Sequence, residues 1–224
     1  MRKLFVPFVA LAATALVFTS CKEDTTKPEI KLPTDALIID LGDEAAALKG
    51  VTAEDNKDGD VTKSIKVTGL DFVGAVELKY SAFDAANNEG TANRKVTIKA
   101  GGLKGNYRVT DVDLDAGELS TSPYNITVNF LASDPTVLVV SGFPAADDKN
   151  NWQAEFTGDG KSMALTMKAI PVKQGTATGT ASGSLTYKKG SSGYEVEKWA
   201  YRVDWDDPTT DPWRYEATFA LTSR

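Results

Sequence analysis

From residue 25 onward the chain has almost no helical periodicity. Short alternating runs rich in Val, Ile, Thr and Tyr recur instead, separated by Gly, Asp, Asn and Pro. A two-residue period puts apolar side chains on one face of a strand and polar ones on the other, so the pattern specifies an all-β protein. The stretch from Gly74 to Phe83 shows this directly. Val76, Leu78, Tyr80 and Ala82 alternate there with Glu77, Lys79 and Ser81, which predicts one buried and one wet face. Asp43–Leu48 is the one helix-tolerant piece and is too short to change the class.

Two segments differ in texture. Residues 28–99 contain no Trp, and all four tryptophans lie beyond residue 150. The Gly-rich stretch Ala100-Gly101-Gly102-Leu103-Lys104-Gly105 between them marks a domain boundary and reads as a hinge. In the first domain, residues 28–99, strands are expected at Glu29–Leu32, Leu37–Leu41, Val61–Thr68, Gly74–Phe83 and Gly90–Lys99. The second, residues 105–224, reads as roughly eight strands, from Asn106–Leu114 to Trp213–Thr222. Antiparallel strands in that number form a barrel or a sandwich.

The N-terminus gives an address. Met1-Arg2-Lys3 is basic, Leu4 to Phe18 is apolar without a charge, and Thr19-Ser20-Cys21 follows. This is the order of a secretory signal peptide over residues 1–20. A helix over the apolar run would be roughly 22 Å long, short of a hydrocarbon core of about 30 Å. Cys21 is the only cysteine, so it has no disulfide partner within the chain. Phe18-Thr19-Ser20-Cys21 resembles the bacterial lipobox, which implies lipidation of Cys21 and a membrane partner through that anchor. Lys22-Glu23-Asp24 resembles the surface-export signal of lipoproteins in one phylum of Gram-negative bacteria, one rich in surface glycan-uptake systems. Together the resemblances imply a protein at the outer membrane, facing the cell exterior, with residues 21–27 as its tether.

Composition removes whole classes of function. The net charge is −6 and becomes more negative without Arg2 and Lys3. Nucleic acid, which needs a basic footprint, is therefore not expected as a partner. The chain has no histidine. That excludes His-based acid–base catalysis, Ser-His-Asp and Cys-His nucleophiles and His-ligated zinc. A single cysteine excludes thiolate zinc and iron–sulfur sites. No cofactor and no metal are expected. Carboxylate chemistry stays open in principle, but no pair of acids stands out from turn chemistry, so the chain reads as non-enzymatic.

A resemblance enters in the first domain. It opens on a Pro-led strand at Pro28, followed by Asp55-Asn56-Lys57-Asp58-Gly59-Asp60-Val61-Thr62. A strand from Gly74 to Tyr80 then runs into Asp84-Ala85-Ala86-Asn87-Asn88. This resembles a family of bacterial immunoglobulin-like surface domains that carry Asp-Asn-x-Asp-Gly-Asp and Asp-x-x-Gly-Asn. It implies an immunoglobulin-like sandwich acting as a spacer or adhesion module. Asn87 stands where the family usually has Gly, and Asn also enters the left-handed region. Asp55, Asp58 and Asp60 read as a hydrogen-bonded turn rather than a calcium loop, because the EF-hand pattern fails at Lys57.

Candidate binding residues lie in the second domain. Trp199 to Tyr215 holds three of the four tryptophans together with Asp204, Asp206, Asp207 and Asp211. Exposed aromatics beside carboxylates suit sugar recognition. Trp205 and Trp213 flank the turn-rich stretch Asp206–Pro212, and Trp152 follows a second acidic loop that holds Asp147 and Asp148. Parity puts Trp199, Tyr201, Val203 and Trp205 on one face and Trp213 with Tyr215 on another, a core pattern that Trp152 shares with Ala154 and Phe156; Trp205 and Trp213 differ from Trp199 in flanking the loop. The candidate set is therefore Trp205, Asp206, Asp207, Asp211, Trp213 and Trp152. Its expected partner is a glycan. The alternative is a structural or adhesion role, docked on an outer-membrane transporter or other surface protein.

Overall fold

The computed structural model describes residues 23–119, 122–143, 152–174 and 176–224. At Phe143, Trp152, Lys173 and Gln174 it describes the backbone alone. Cys21 and the segment before Trp152 lie outside the described residues.

The first domain is a two-sheet sandwich. One sheet pairs β1 (Glu29–Lys31) with β3 (Thr52–Asp55) and β3 with β4 (Gly59–Asp60). The other has the order β2 (Ile38–Asp40), β7 (Glu89–Lys99), β6 (Gly74–Phe83), β5 (Lys66–Thr68). The β6–β7 ladder registers Gly74 with Ile98 through to Phe83 with Glu89. Val76, Leu78, Tyr80 and Ala82 are buried, as their alternation requires. The helix-tolerant piece forms a short helix, Glu44–Leu48, capped by Asp43, whose Oδ1 accepts from Ala46 N at 2.9 Å. Tyr80 Oη, from the core, donates to Ala47 O at 3.0 Å. Where one strand was expected over Val61–Thr68, a 3-10 turn at Thr62–Ser64 precedes β5, because Thr62 N is drawn into a turn by Asp60 Oδ1 at 2.9 Å. Asn87 adopts φ +64, the left-handed conformation its position demands.

The second domain is a closed eight-stranded antiparallel barrel rather than a sandwich. Its strands are β8 (Gly105–Asp113), β10 (Tyr124–Leu131), β11 (Asp134–Phe143), β12 (Trp152–Gly158), β13 (Ala164–Met167), β15 (Ala177–Gly190), β16 (Gly193–Trp205) and β17 (Trp213–Ser223). The short β9 (Glu118–Leu119) folds back on β8, and β14 (Ile170–Gln174) continues β13 along β15. Closure comes from β8. It pairs with β10, Tyr107 opposite Ile126, and with β17, Tyr107 opposite Leu221. Tyr107, Val128, Leu138, Phe156, Leu165 and Leu185 are buried, so side chains fill the barrel, as eight strands permit.

The Gly-rich stretch between the domains is a packed joint, not a loose hinge. Ala100–Leu103 forms a 3-10 turn with Ala100 and Leu103 buried. The fixing contacts come from both sides. Tyr187 Oη donates to Asp71 O at 2.9 Å and accepts from Val73 N at 3.1 Å. Tyr194 Oη donates to Asp71 Oδ1, and Gly160 N donates to Val73 O at 3.0 Å. Gly158 is required there, since a Cβ would lie 2.2 Å from Val73 O. Burial raises the Tyr187 hydroxyl pKa to about 12, so it remains a donor at any physiological pH.

The sandwich therefore covers the barrel end that carries the β12–β13 and β15–β16 connections. Because β6 begins at that joint and ends at Phe83, the Asp84–Asn88 turn lies at the far end of the molecule. Asn88 Nδ2 donates to Asp24 O at 2.9 Å, so the chain enters there. Tyr187→Phe strands the Val73 N–H and the Asp71 carbonyl without their shared partner. It is expected to lower stability by about 1–3 kcal/mol in urea unfolding monitored by tryptophan fluorescence.

Candidate functional site

The barrel end away from the sandwich gathers the candidate residues. The antiparallel order brings the C-terminus of β16, the N-terminus of β17, the C-terminus of β8 and the N-terminus of β10 to this mouth. Phe143 pairs with Trp152, which sets the backbone of Trp152 at the same end; its side chain lies outside those described.

The β16–β17 connection is built by its sequence. Asp207 Oδ1 accepts from Thr209 N at 2.9 Å and from Thr209 Oγ1 at 2.7 Å, and Thr210 N donates to Asp207 O at 3.1 Å. Asp at the first and Pro at the second position of such a turn are favoured because Pro208 presets φ. The bonds from Thr209 hold the Asp207 carboxyl below its usual range. Asp206 accepts from Thr178 Oγ1, and its N–H donates to Thr178 O at 2.9 Å. Asp211 is exposed on the same loop.

Trp205 and Trp213 are half-buried and meet edge to face, centroids 4.8 Å apart at 77°. Trp213 continues to Tyr215 at 6.3 Å, and Tyr215 stacks on Tyr201 at 5.0 Å. Tyr201 lies 4.8 Å from Trp199, which meets Phe156 at 5.3 Å. An aromatic column thus climbs from the buried core to the mouth, with Trp199 in the core as its parity requires. Gly179 faces Trp205, and a Cβ there would lie 3.1 Å from the indole ring. Trp205 Nε1 is buried and has no hydrogen-bond partner among the described residues.

Beneath the mouth sits a group that sequence reading overlooked. Asp111 is 2% exposed inside the barrel. It accepts from Tyr124 Oη at 3.0 and 2.9 Å through its two oxygens, and from Tyr201 Oη at 3.5 Å. Burial raises its pKa, against the two phenols that favour its charged form. The available signal was parity, since Asp111 falls in phase with Tyr107 and Val109. The rim holds two more unforeseen residues, Leu114 and Leu119, 51% and 61% exposed. Leu114 N donates to Arg214 O at 2.9 Å, which sets this hairpin beside Trp213.

The comparisons with known proteins bear mainly on the sandwich. Residues 33–98 match the family described as bacterial surface protein, Ig-like domain. The sandwich is therefore an Ig-like domain. No curated protein matches the chain. Among solved structures, a lipoprotein from Bacteroides thetaiotaomicron is similar at 12% identity and a TM-score of 0.25, over 85% of this chain and 99% of that one. A structure of a carbohydrate-binding module in complex with GlcNAc and INT domains from Clostridium perfringens has 11% identity and a TM-score of 0.25, over 88% of this chain. The match spans 44% of that second chain.

The raised pKa of Asp111 carries a sign. The folded chain binds this proton more tightly than the unfolded chain, whose carboxyl titrates near 3.9. Stability from this group therefore falls as pH rises from about 3.9 through the raised folded value, and the full cost is present above it. Asp111→Asn has no charge to bury. Its melting temperature relative to the parent is expected to climb with pH across that window in thermal scans between pH 3.5 and 7, and a constant offset would contradict the assignment.

Proposed function

We propose that this is a non-enzymatic, surface-exposed lipoprotein whose barrel binds a glycan at its mouth, with the Ig-like domain as spacer. The observation that carries the reading is the Trp205–Trp213 pair at the barrel end opposite the Ig-like domain. An indole face packs on the apolar side of a sugar ring. Asp206, Asp207 and Asp211 lie on the exposed loop that joins the pair and supply acceptors. Asp206 and Asp207 are bonded to threonines, which suits binding better than proton transfer. One observation favours a second reading, a protein-docking component of an outer-membrane assembly: Leu114 and Leu119 expose apolar surface beside the same mouth.

A glycan array probed with residues 23–224 separates the two. Selective binding that weakens at least about tenfold, or ~1.4 kcal/mol, in Trp213→Ala with an unchanged circular dichroism spectrum supports the glycan site. A blank array, with a cross-linked surface partner that is lost in Leu119→Asp, supports docking instead. The anchor has its own test. Cys21→Ala is expected to move the protein from the membrane fraction to the soluble fraction, and retention in the membrane would refute lipidation.

A further inference from the structure

At the far end of the Ig-like domain, three separate chain segments bring acids together. Among the described residues, one carboxylate oxygen from each of Asp24, Asp55, Asp58 and Asp84 lies within 4.8 Å of the others. Asp24 belongs to the tether, Asp55 and Asp58 to the β3–β4 turn, and Asp84 to the β6–β7 turn. Asp55 and Asp84 are 8% and 6% exposed.

Turn chemistry accounts for much of this arrangement. Asp55 Oδ1 accepts from Lys57 N at 2.8 Å and Asp58 N at 3.0 Å. Asp84 accepts from Asn88 N and Asn88 Nδ2, each at 2.7 Å, and Asp58 Oδ2 accepts from Ala85 N at 2.7 Å. Asp24 Oδ1 accepts from Thr26 N at 3.2 Å and lies 3.8 Å from Lys57 Nζ. One atom is left over. Asp55 Oδ2 is buried and has no hydrogen-bond partner among the described residues. A buried carboxylate oxygen without a donor is costly, and three further carboxylates beside it add to that cost. The backbone bonds of the turn and the Lys57 ammonium hold the Asp55 carboxyl below its usual range, yet Oδ2 keeps no partner among the described residues, and a cation meets it there.

We propose that Asp24, Asp55, Asp58 and Asp84 form a calcium site that fastens the tether to the Ig-like domain. An all-oxygen, carboxylate-rich set selects a hard cation. Calcium–oxygen distances of about 2.3–2.6 Å place ligands on opposite sides of the ion up to roughly 5 Å apart, which accommodates four oxygens within 4.8 Å. Magnesium, at about 2.0–2.1 Å, needs a tighter cluster and holds its waters. The site differs from an EF-hand in drawing its ligands from three segments, so the failure of that pattern at Lys57 does not bear on it. Asp60 is not in the cluster, and its Oδ1 accepts from Thr62 N at 2.9 Å.

The test uses the full chain purified in detergent and stripped with a chelator. Titration with calcium chloride, followed by calorimetry and thermal unfolding without any glycan, is expected to show a raised melting temperature. The dissociation constant is expected in the range of about 10⁻⁴–10⁻³ M typical of extracellular modules. Asp55→Asn and the exposed Asp58→Asn should each weaken binding about tenfold or more, on the scale of one lost ligand. Asp60→Asn should bind as the parent does. Absence of both a binding heat and a melting shift in the parent overturns the proposal. So does parent-like affinity in a folded Asp58→Asn variant.

Discussion

Strand β8 is hydrogen-bonded along both edges, to β10 on one side and to β17 on the other. That double pairing turns a long sheet into a closed wall. It also fixes what lies inside. Once β8 is registered on both neighbours, Tyr107, Val109 and Asp111 must point inward together. Asp111 is thereby carried into an apolar interior, where Tyr124 and Tyr201 are the groups that meet it. A buried acid supported by phenols rather than by an opposite charge follows from closure.

The joint between the domains adds backbone hydrogen bonds to a hydrophobic core that runs through both. Val73 donates to Tyr187 and accepts from Gly160, while Asp71 receives both Tyr187 and Tyr194. Val73 is itself fully buried. A bulge of sandwich backbone is thus received by a barrel rim that glycine keeps clear, and two tyrosines from neighbouring strands close over it. The same contacts decide which end of the barrel the Ig-like domain covers.

Much of this was legible in the sequence, for a physical reason in each case. The Gly74–Phe83 strand could be read to the residue because its alternation is unbroken and one face is buried. The Ig-like resemblance was legible from turns, because Asp-Asn-x-Asp-Gly-Asp and an Asn able to take φ +64 are local requirements. Barrel and sandwich remained alternatives, since both use the same alternation and differ only in whether β8 finds a second partner. The Gly-rich joint read as a hinge because composition cannot show that Leu103 is buried. At the mouth, Trp205 and Trp213 were found through their place beside a turn. Asp111 was passed over because an acid in an apolar phase reads as exposed until the strand's neighbours are known. The convergence of Asp24 with Asp55 and Asp84 was invisible for the same reason, being a meeting of residues far apart in the chain.

The parallel pairing of β2 with β7 has a mechanical meaning. The chain enters the Ig-like domain at Asp24, at one end, and leaves it through Lys99, at the other. β2 registers Ile38 with Thr97, Ile39 with Ile98 and Asp40 with Lys99, and Asp40 and Lys99 add an ion pair at 3.0 Å. A pull between Asp24 and the far end of the barrel drags these two strands in opposite directions along their lengths. The rungs of that short ladder are then sheared together instead of being peeled one by one, so drag on the far end of the molecule is borne by several bonds at once.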